Sequence, residues 1–454
     1  MFCKEFAWGA ATAAYQIEGA AFEGGRGLSI WDTFTAAGGC YQGQTGAVTC
    51  DHYHRFREDV RIMKELGLKA YRFSVSWSRI LPEGTGRVNP EGIAFYSALI
   101  DALLEAGIEP YLTLYHWDLP QALYDRGGWL NPDSPKWFAE YAAVIAENFS
   151  DRVQYFMTFN EPQCVVGLGY VSGVHAPGQK ASMRDCVRIA HHILLAHGLA
   201  VKELRAGAKQ EIKVGIAPCL SYGYPEDEQS EADVAAARKL SFTIADDPDL
   251  QWCWSATWWC DPVVFGRYPA DGLALCQQYL PDTWEADLKI ICQPLDFMGQ
   301  NIYHGFAVRA DADGNPVRVP FCDGYPMAGY DHWVIAPKAI KWGVKFLYER
   351  YALPVYITEN GTSCADVVSL DGKVHDPNRV DFLHRYLRAL KEAADEGADV
   401  RGYFQWTLMD NFEWAEGYTQ RFGMVYVNYQ TQERIIKDSA YWYKEVIESN
   451  GEYL

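Results

Sequence analysis

Two glutamates, Glu161 and Glu359, each stand at the end of a short, apolar, β-rich run. Glu161 lies in Thr158-Phe159-Asn160-Glu161-Pro162, after the run 153–159. Glu359 lies in Ile357-Thr358-Glu359-Asn360-Gly361, after the run 353–358. A carboxylate at such a point does not serve core packing. Where parallel strands close into a barrel, their carboxyl ends converge on one face, and that face carries the chemistry. Two carboxylates brought together there are the minimal equipment for breaking a glycosidic bond. About 200 positions separate them, so only the fold can pair them. A spacing of about 5 Å would give retention of anomeric configuration, and one of about 6.5–9.5 Å inversion. Two acids so close would titrate as a coupled pair, one held protonated by the charge of the other.

The elements that must position them follow a repeated grammar of helix, break and short β-rich run. Asn89-Pro90 reads as an N-cap followed by proline at the first helical position. The helix 91–106 follows, Gly107 ends it, and 108–115 is the next strand. Earlier, Tyr53, Phe56, Val60, Met63 and Leu66 keep helical spacing, Gly67 stops the helix, and 69–75 is a strand. The same alternation gives helices over 135–149, 336–351 and 381–396, each leading into a strand at 153–159, 354–358 and 400–407. Strands at 6–14, 212–220 and 295–302 bring the number to eight. This pattern predicts an α/β fold, a (β/α)8 TIM barrel, with residues 1–454 as a single catalytic domain carrying extended βα loops. An open doubly wound sheet would favour a Gly-x-Gly-x-x-Gly loop near the N-terminus, which the chain lacks. The fifth and sixth units and residues 38–49 are long and loop-rich, suited to shaping a pocket.

Composition narrows the partners. The 454 residues carry 40 basic and 59 acidic side chains, a net charge of −19, which argues against nucleic acid or an anionic membrane surface. No apolar stretch reaches the length of a membrane helix, and the N-terminus lacks a signal-peptide apolar region. A cytoplasmic location is therefore expected. The 12 cysteines are scattered without a Cys-x-x-Cys, so packed free thiols are expected rather than a disulfide framework. Aromatics make up 15%, with 16 tryptophans, a surplus that suits both core filling and stacking on sugars.

Further motifs run in order along the chain: Phe6-Ala7-Trp8-Gly9-Ala10-Ala11-Thr12, Tyr15-Gln16-Ile17-Glu18-Gly19, Tyr71-Arg72-Phe73-Ser74, His116-Trp117-Asp118-Leu119-Pro120, His175-Ala176-Pro177-Gly178 and Asp410-Asn411-Phe412-Glu413-Trp414. With the two glutamate motifs, the chain resembles family 1 glycoside hydrolases of the β-glucosidase type from about Phe6 to Tyr443. The resemblance implies a retaining enzyme acting on a small-molecule carbohydrate, with no cofactor and no metal. Glu359 would be the nucleophile that forms a glycosyl-enzyme. Glu161 would be the acid that protonates the leaving oxygen and then the base that activates water. Arg72 would lie beside Glu359 and keep it ionised, and Tyr303 would donate a hydrogen bond to it. Gln16, His116, Asn160, Asn301, Trp406 and Glu413 match positions that hold the non-reducing sugar. Trp414 would supply an indole N–H or a stacking face, and Phe422 a weaker match. The resemblance leaves the oligomeric state and the aglycone open.

Glu413, read as an anion, argues against 6-phosphorylated sugars, and β-glucosides, with β-galactosides or β-fucosides beside them, are preferred. Gln163 stands where many relatives have tryptophan, a position that flanks the leaving-group pocket. Four rival readings stand beside this one. His52-Tyr53-His54 is a metal-ligand pattern when it ends a strand, but here it opens a helix with Asp51 as N-cap. A catalytically silent sugar-binding protein would lose one glutamate, and a 6-phospho-β-glycosidase would lack Glu413. Transglycosylation shares the covalent intermediate.

Overall fold

The structure is a computed structural model that describes residues 2–244, 251–330 and 333–454. Eight parallel strands form its centre: β1 (Ala7–Ala11), β2 (Ala70–Ser74), β3 (Glu109–Tyr115), β4 (Tyr155–Asn160), β5 (Lys213–Ala217), β6 (Met298–Asn301), β7 (Val355–Asn360) and β8 (Val400–Trp406). All eight expected strands are present, with ends displaced by up to three residues. They pair in sequence order from β1 to β5 and from β6 to β8, and β8 pairs β1. Between β5 and β6 the ladder is short. Pro218, which has no N–H to give, follows β5. Its carbonyl accepts from Asn301 N at 3.0 Å, and Leu220 N donates to Asn301 O at 3.1 Å. A bridge at Cys219 and Asn301 thus brings the ring to near closure.

The helices follow the patterns that predicted them. Asn89 accepts from Glu91 N at 3.3 Å and Pro90 opens the helix Pro90–Glu105. Gly107 and Gly67 adopt φ of 76° and 71°, the left-handed turn that ends a helix. Asp51 departs from expectation. It precedes the helix His52–Glu65, but its side chain caps nothing and its own φ is 51°. Its carboxylate instead takes His54 Nδ1 at 2.6 Å and Arg55 Nε at 3.2 Å, so charged side chains outcompete the helix amides. The long fifth and sixth units are also more ordered than loops. They hold the helices Glu231–Phe242, Ala256–Phe265 and Trp284–Ile291, and a small sheet of Tyr222–Pro225, Gly305–Ala310 and Pro316–Val319.

Rings fill the amino-terminal end of the barrel. Tyr111 and Tyr155 stack at 4.2 Å, Phe404 meets Tyr111 at 4.8 Å, and Phe297 meets Tyr356 at 5.0 Å. Glycines make the room: a Cβ on Gly215 would lie 2.5 Å from the Phe297 ring, and one on Gly9 2.5 Å from Phe404. Large and small residues therefore interdigitate across the barrel. Gly215→Val should cost about 1–3 kcal/mol by overpacking. Adding Phe297→Ala, which empties the space the valine enters, should restore part of the loss. Thermal unfolding of the two single variants and the double variant measures this, and equal, additive losses would mean the rings and glycines do not interlock.

Candidate active site

Arg72 comes from the middle of β2 and is fully buried. Its Nη1 donates to Glu359 Oε1 at 2.6 Å and to Thr358 O at 3.0 Å. Its Nη2 donates to Asn160 Oδ1 at 2.6 Å, and Nε to Thr113 Oγ1 at 3.2 Å. One planar fork thus ties together the carboxyl ends of β3, β4 and β7. Glu359 sits at an irregularity in β7, where the register with β6 shifts between Ile357 and Glu359. Such shifts re-aim a side chain relative to its strand. The Tyr303 hydroxyl donates to Glu359 Oε2 at 2.7 Å, so both carboxylate oxygens have a donor.

Glu161 follows β4 and turns out of the strand with φ 44° and ψ 64°, a left-handed conformation costly for a residue with a Cβ. Its N–H donates to Ala217 O at 2.8 Å on β5. Pro162 then starts the short helix Pro162–Val166, whose first position needs no N–H. Asn301 Nδ2 donates to Glu161 Oε1 at 2.7 Å and to Asn160 Oδ1 at 3.0 Å. Thr358 donates its hydroxyl proton to Asn301 Oδ1 at 2.6 Å, which fixes the amide with its NH2 toward the carboxylate. Cys164, one helical turn after Glu161, donates its thiol to Oε2 at 3.1 Å. The two glutamates therefore share one polar network, running from Glu359 through Arg72, Asn160 and Asn301 to Glu161.

The network treats the two acids unequally. Burial, and then the charge of Glu359, push the Glu161 carboxyl up to about 7. Glu359 is raised as well, by burial, with Arg72, Tyr303 and Asn301 opposing that rise. The proton of the pair therefore belongs on Glu161. His116 is held neutral, well below the usual histidine range, by burial and the nearby Arg72 charge. Glu413 departs from the sequence reading. Burial and the two other carboxylates push it up to about 8, so near neutrality it carries a proton unless sugar hydroxyls donate to it.

A cavity of about 870 Å³ opens above these groups, lined by Glu161 and Glu359 together with His116, Asn301, Tyr303, Trp406, Glu413, Trp414 and Phe422. Arg72, Gln16 and Asn160 stand behind its wall as fully buried supports. Gln16 Nε2 donates to Phe412 O at 2.9 Å and to Glu413 Oε2 at 3.3 Å. Asp410 anchors the same loop, accepting from Lys437 Nζ at 2.7 Å and from Arg421 Nη1 at 2.6 Å. Asn160 Oδ1 is taken by Arg72 and Asn301, so its Nδ2 faces His116 Nε2 at 3.0 Å. The His116 proton must then sit on Nδ1. That donor, and the acceptor Gln16 Oε1, are buried without a protein partner. A sugar hydroxyl, which both donates and accepts, is the kind of group that satisfies them.

Gln163 does not flank this cavity. It is buried, and its Oε1 accepts from Cys219 N at 3.4 Å. His52 and His54 also part company: His52 Nδ1 pairs with Asp59 at 2.7 Å inside the protein, whereas His54 lies outside on Asp51 and Glu23. The two imidazoles thus pair with different carboxylates. Sequence reading missed Thr113, Cys164 and the outer cavity residues Trp254, Arg318 and Trp333. Thr113 carried no signal beyond its place on a barrel strand. The tryptophan surplus pointed toward Trp254 and Trp333 without locating them.

The chain is similar to known proteins over nearly its whole length. Residues 1–452 match the model of glycosyl hydrolase family 1. Beta-glucosidase A of Thermotoga maritima is 47% identical over 99% of this chain and 98% of its own length. A bifunctional beta-D-glucosidase/beta-D-fucosidase of Bifidobacterium breve is 41% identical over 98% of each chain. The structure of the Thermotoga maritima beta-glucosidase in complex with glucoimidazole superposes with a TM-score of 0.89, at 46% identity and 99% coverage of both chains. Motif order, barrel and buried carboxylate pair agree with this likeness, and the chain belongs to glycosyl hydrolase family 1.

Proposed function

We propose that this enzyme is a retaining β-glucosidase in which Glu359 is the nucleophile and Glu161 the acid/base. The observation that carries the assignment is the unequal support of the two carboxyls. Glu359 meets Arg72 and a phenol, donors that stabilise a carboxylate. Glu161 is pushed up to about 7, where a carboxyl still holds the proton it must give. Attack of Glu359 on the anomeric carbon breaks the glycosidic bond, and the Glu161 proton passes to the departing oxygen. The ester so formed no longer carries the Glu359 charge, so the Glu161 pKa falls and its carboxylate can take a proton from water. Water then cleaves the ester with a second inversion, and the sugar leaves with its β configuration retained.

Gln16, His116, Asn160, Asn301, Glu413 and Trp406 hold the non-reducing glucosyl unit in this reading. Trp414 and Phe422 add apolar walls, and capture of the intermediate by a sugar in place of water gives transglycosylation. The relatives' names support glucosides, with fucosides beside them. Retention of both glutamates and Glu413 disfavours a silent sugar binder and a 6-phospho-β-glycosidase. We read residues 1–454 as one catalytic domain, supported by a single contiguous core. A cytoplasmic location and the absence of a nucleic-acid partner rest on charge and sequence. Among the described residues, no helix is long and apolar enough to cross a membrane.

Proton NMR during hydrolysis of an aryl β-D-glucoside should detect β-glucose first; α-glucose first would rule out the double displacement. Glu359→Gly should lose nearly all hydrolysis yet couple an α-glucosyl fluoride donor to an acceptor sugar. Unchanged hydrolysis would remove Glu359 from its role. For Glu161 the sign of the pH effect is fixed: the acid works only when protonated, so kcat/KM should fall as pH rises through about 7. Glu161→Gln should lose that alkaline limb and cost roughly 10²–10⁴ on unactivated aglycones, far less on good leaving groups. Equal losses on both classes would contradict the assignment.

A further inference from the structure

Beside the Glu161 carboxylate lie two thiols that the hydrolytic mechanism does not use. Cys164 Sγ is 3.7 Å from Cys219 Sγ and 3.1 Å from Glu161 Oε2. Their three potential ligand atoms all lie within 4.8 Å of one another. Cys164 comes from the helical turn after Glu161 and Cys219 from the closure between β5 and β6. All three residues line the cavity, so an ion in solution can reach them. We propose that Cys164, Cys219 and Glu161 form a site for a thiophilic divalent cation, Zn²⁺ or its heavier congener Cd²⁺, that blocks the acid/base carboxylate.

The geometry suits such an ion. Two thiolates at about 2.3 Å from a tetrahedral Zn²⁺ stand about 3.8 Å apart, close to the 3.7 Å between these sulfurs. A carboxylate oxygen is the third ligand, and the cavity leaves the fourth position open to water or a substrate hydroxyl. Asn301 already holds the other Glu161 oxygen at 2.7 Å, the kind of outer hydrogen bond that orients a metal-bound carboxylate. Soft sulfur ligands select such ions over Mg²⁺ or Ca²⁺. On binding, each thiol and the Glu161 carboxyl release their protons to solvent as the metal takes their place. The ion displaces the Cys164 hydrogen bond and occupies the lone pair that Glu161 needs for proton transfer.

Titration of the full-length enzyme with Cd²⁺ tests the site through two readouts: thiolate-to-cadmium charge-transfer absorption, and hydrolysis of an aryl β-glucoside. One ion per chain should give the absorption and inhibit over the same concentration range, with reversal by EDTA and no effect of Mg²⁺. Cys219→Ser should hydrolyse at the unmetallated wild-type rate and weaken both effects at least about tenfold; Cys219→Asn serves if the serine variant folds poorly. Cys322→Ser, at an exposed cysteine, should leave both unchanged. An unaltered midpoint in both Cys219 variants, an absorption lost with Cys322, or no thiolate signal at millimolar Cd²⁺ would overturn the site. Absorption without inhibition would overturn its blocking role, and the Glu161→Gln pH profile tests the acid assignment separately.

Discussion

Arg72 puts a permanent charge inside the barrel, and much of the site is organised by the need to satisfy it. A buried guanidinium without partners would cost several kcal/mol. Here its donors reach Thr113, Asn160, Glu359 and the Thr358 carbonyl, on three other strands. Each contact also does local work. Asn160 is turned so that its amide nitrogen faces His116, which in turn sets the imidazole tautomer. Glu359 is given a counter-charge, as the nucleophile of the proposed mechanism requires.

The same cation explains why two chemically identical side chains behave differently. Glu161 is buried in the same network but receives only an amide N–H and a thiol, weaker support for a negative charge than a guanidinium and a phenol. With the Glu359 charge nearby, its proton is retained. The left-handed backbone at Glu161 is the local cost of turning its carboxyl out from the end of a strand, and it is over-determined by the Ala217 hydrogen bond and by Pro162.

Much of this was legible in the sequence because barrel strands and their glycine stops are local patterns. The eight strands, the Asn89-Pro90 helix start and both glutamates stand where periodicity and motif placed them. What escaped depends on contacts between distant segments. Asp51 has the composition of a cap, but His54 and Arg55 compete for its carboxylate. Gln163 has the sequence position of a pocket residue, but closure of the ring at Cys219 draws it inward. Glu413 is a carboxyl in sequence, and only its burial with two others pushes its pKa up to about 8. The cysteine pair is equally invisible, since Cys164 and Cys219 lie on different barrel units.

The cavity is built in two styles, and the difference bears on selectivity. Its inner end is polar and rigid: Gln16, Asn160 and Asn301 are buried, and the loop that carries Glu413 is pinned through Asp410 to Lys437 and Arg421. Buried polar groups left unpaired are expensive, so a sugar lacking a matching hydroxyl pays a large penalty there. The outer wall draws on the excursions around β5 and β6, with Trp254, Phe321, Met327 and Trp333 among its residues. Trp254 and Met327 are exposed, at 40% and 57% of their surface. Apolar surfaces of this kind discriminate by only about 1–3 kcal/mol per methylene and accept many shapes. In the proposed function, a buried hydrogen-bonding floor beneath an apolar wall is the arrangement that would hold the glycosyl unit while leaving the group it is cut from variable.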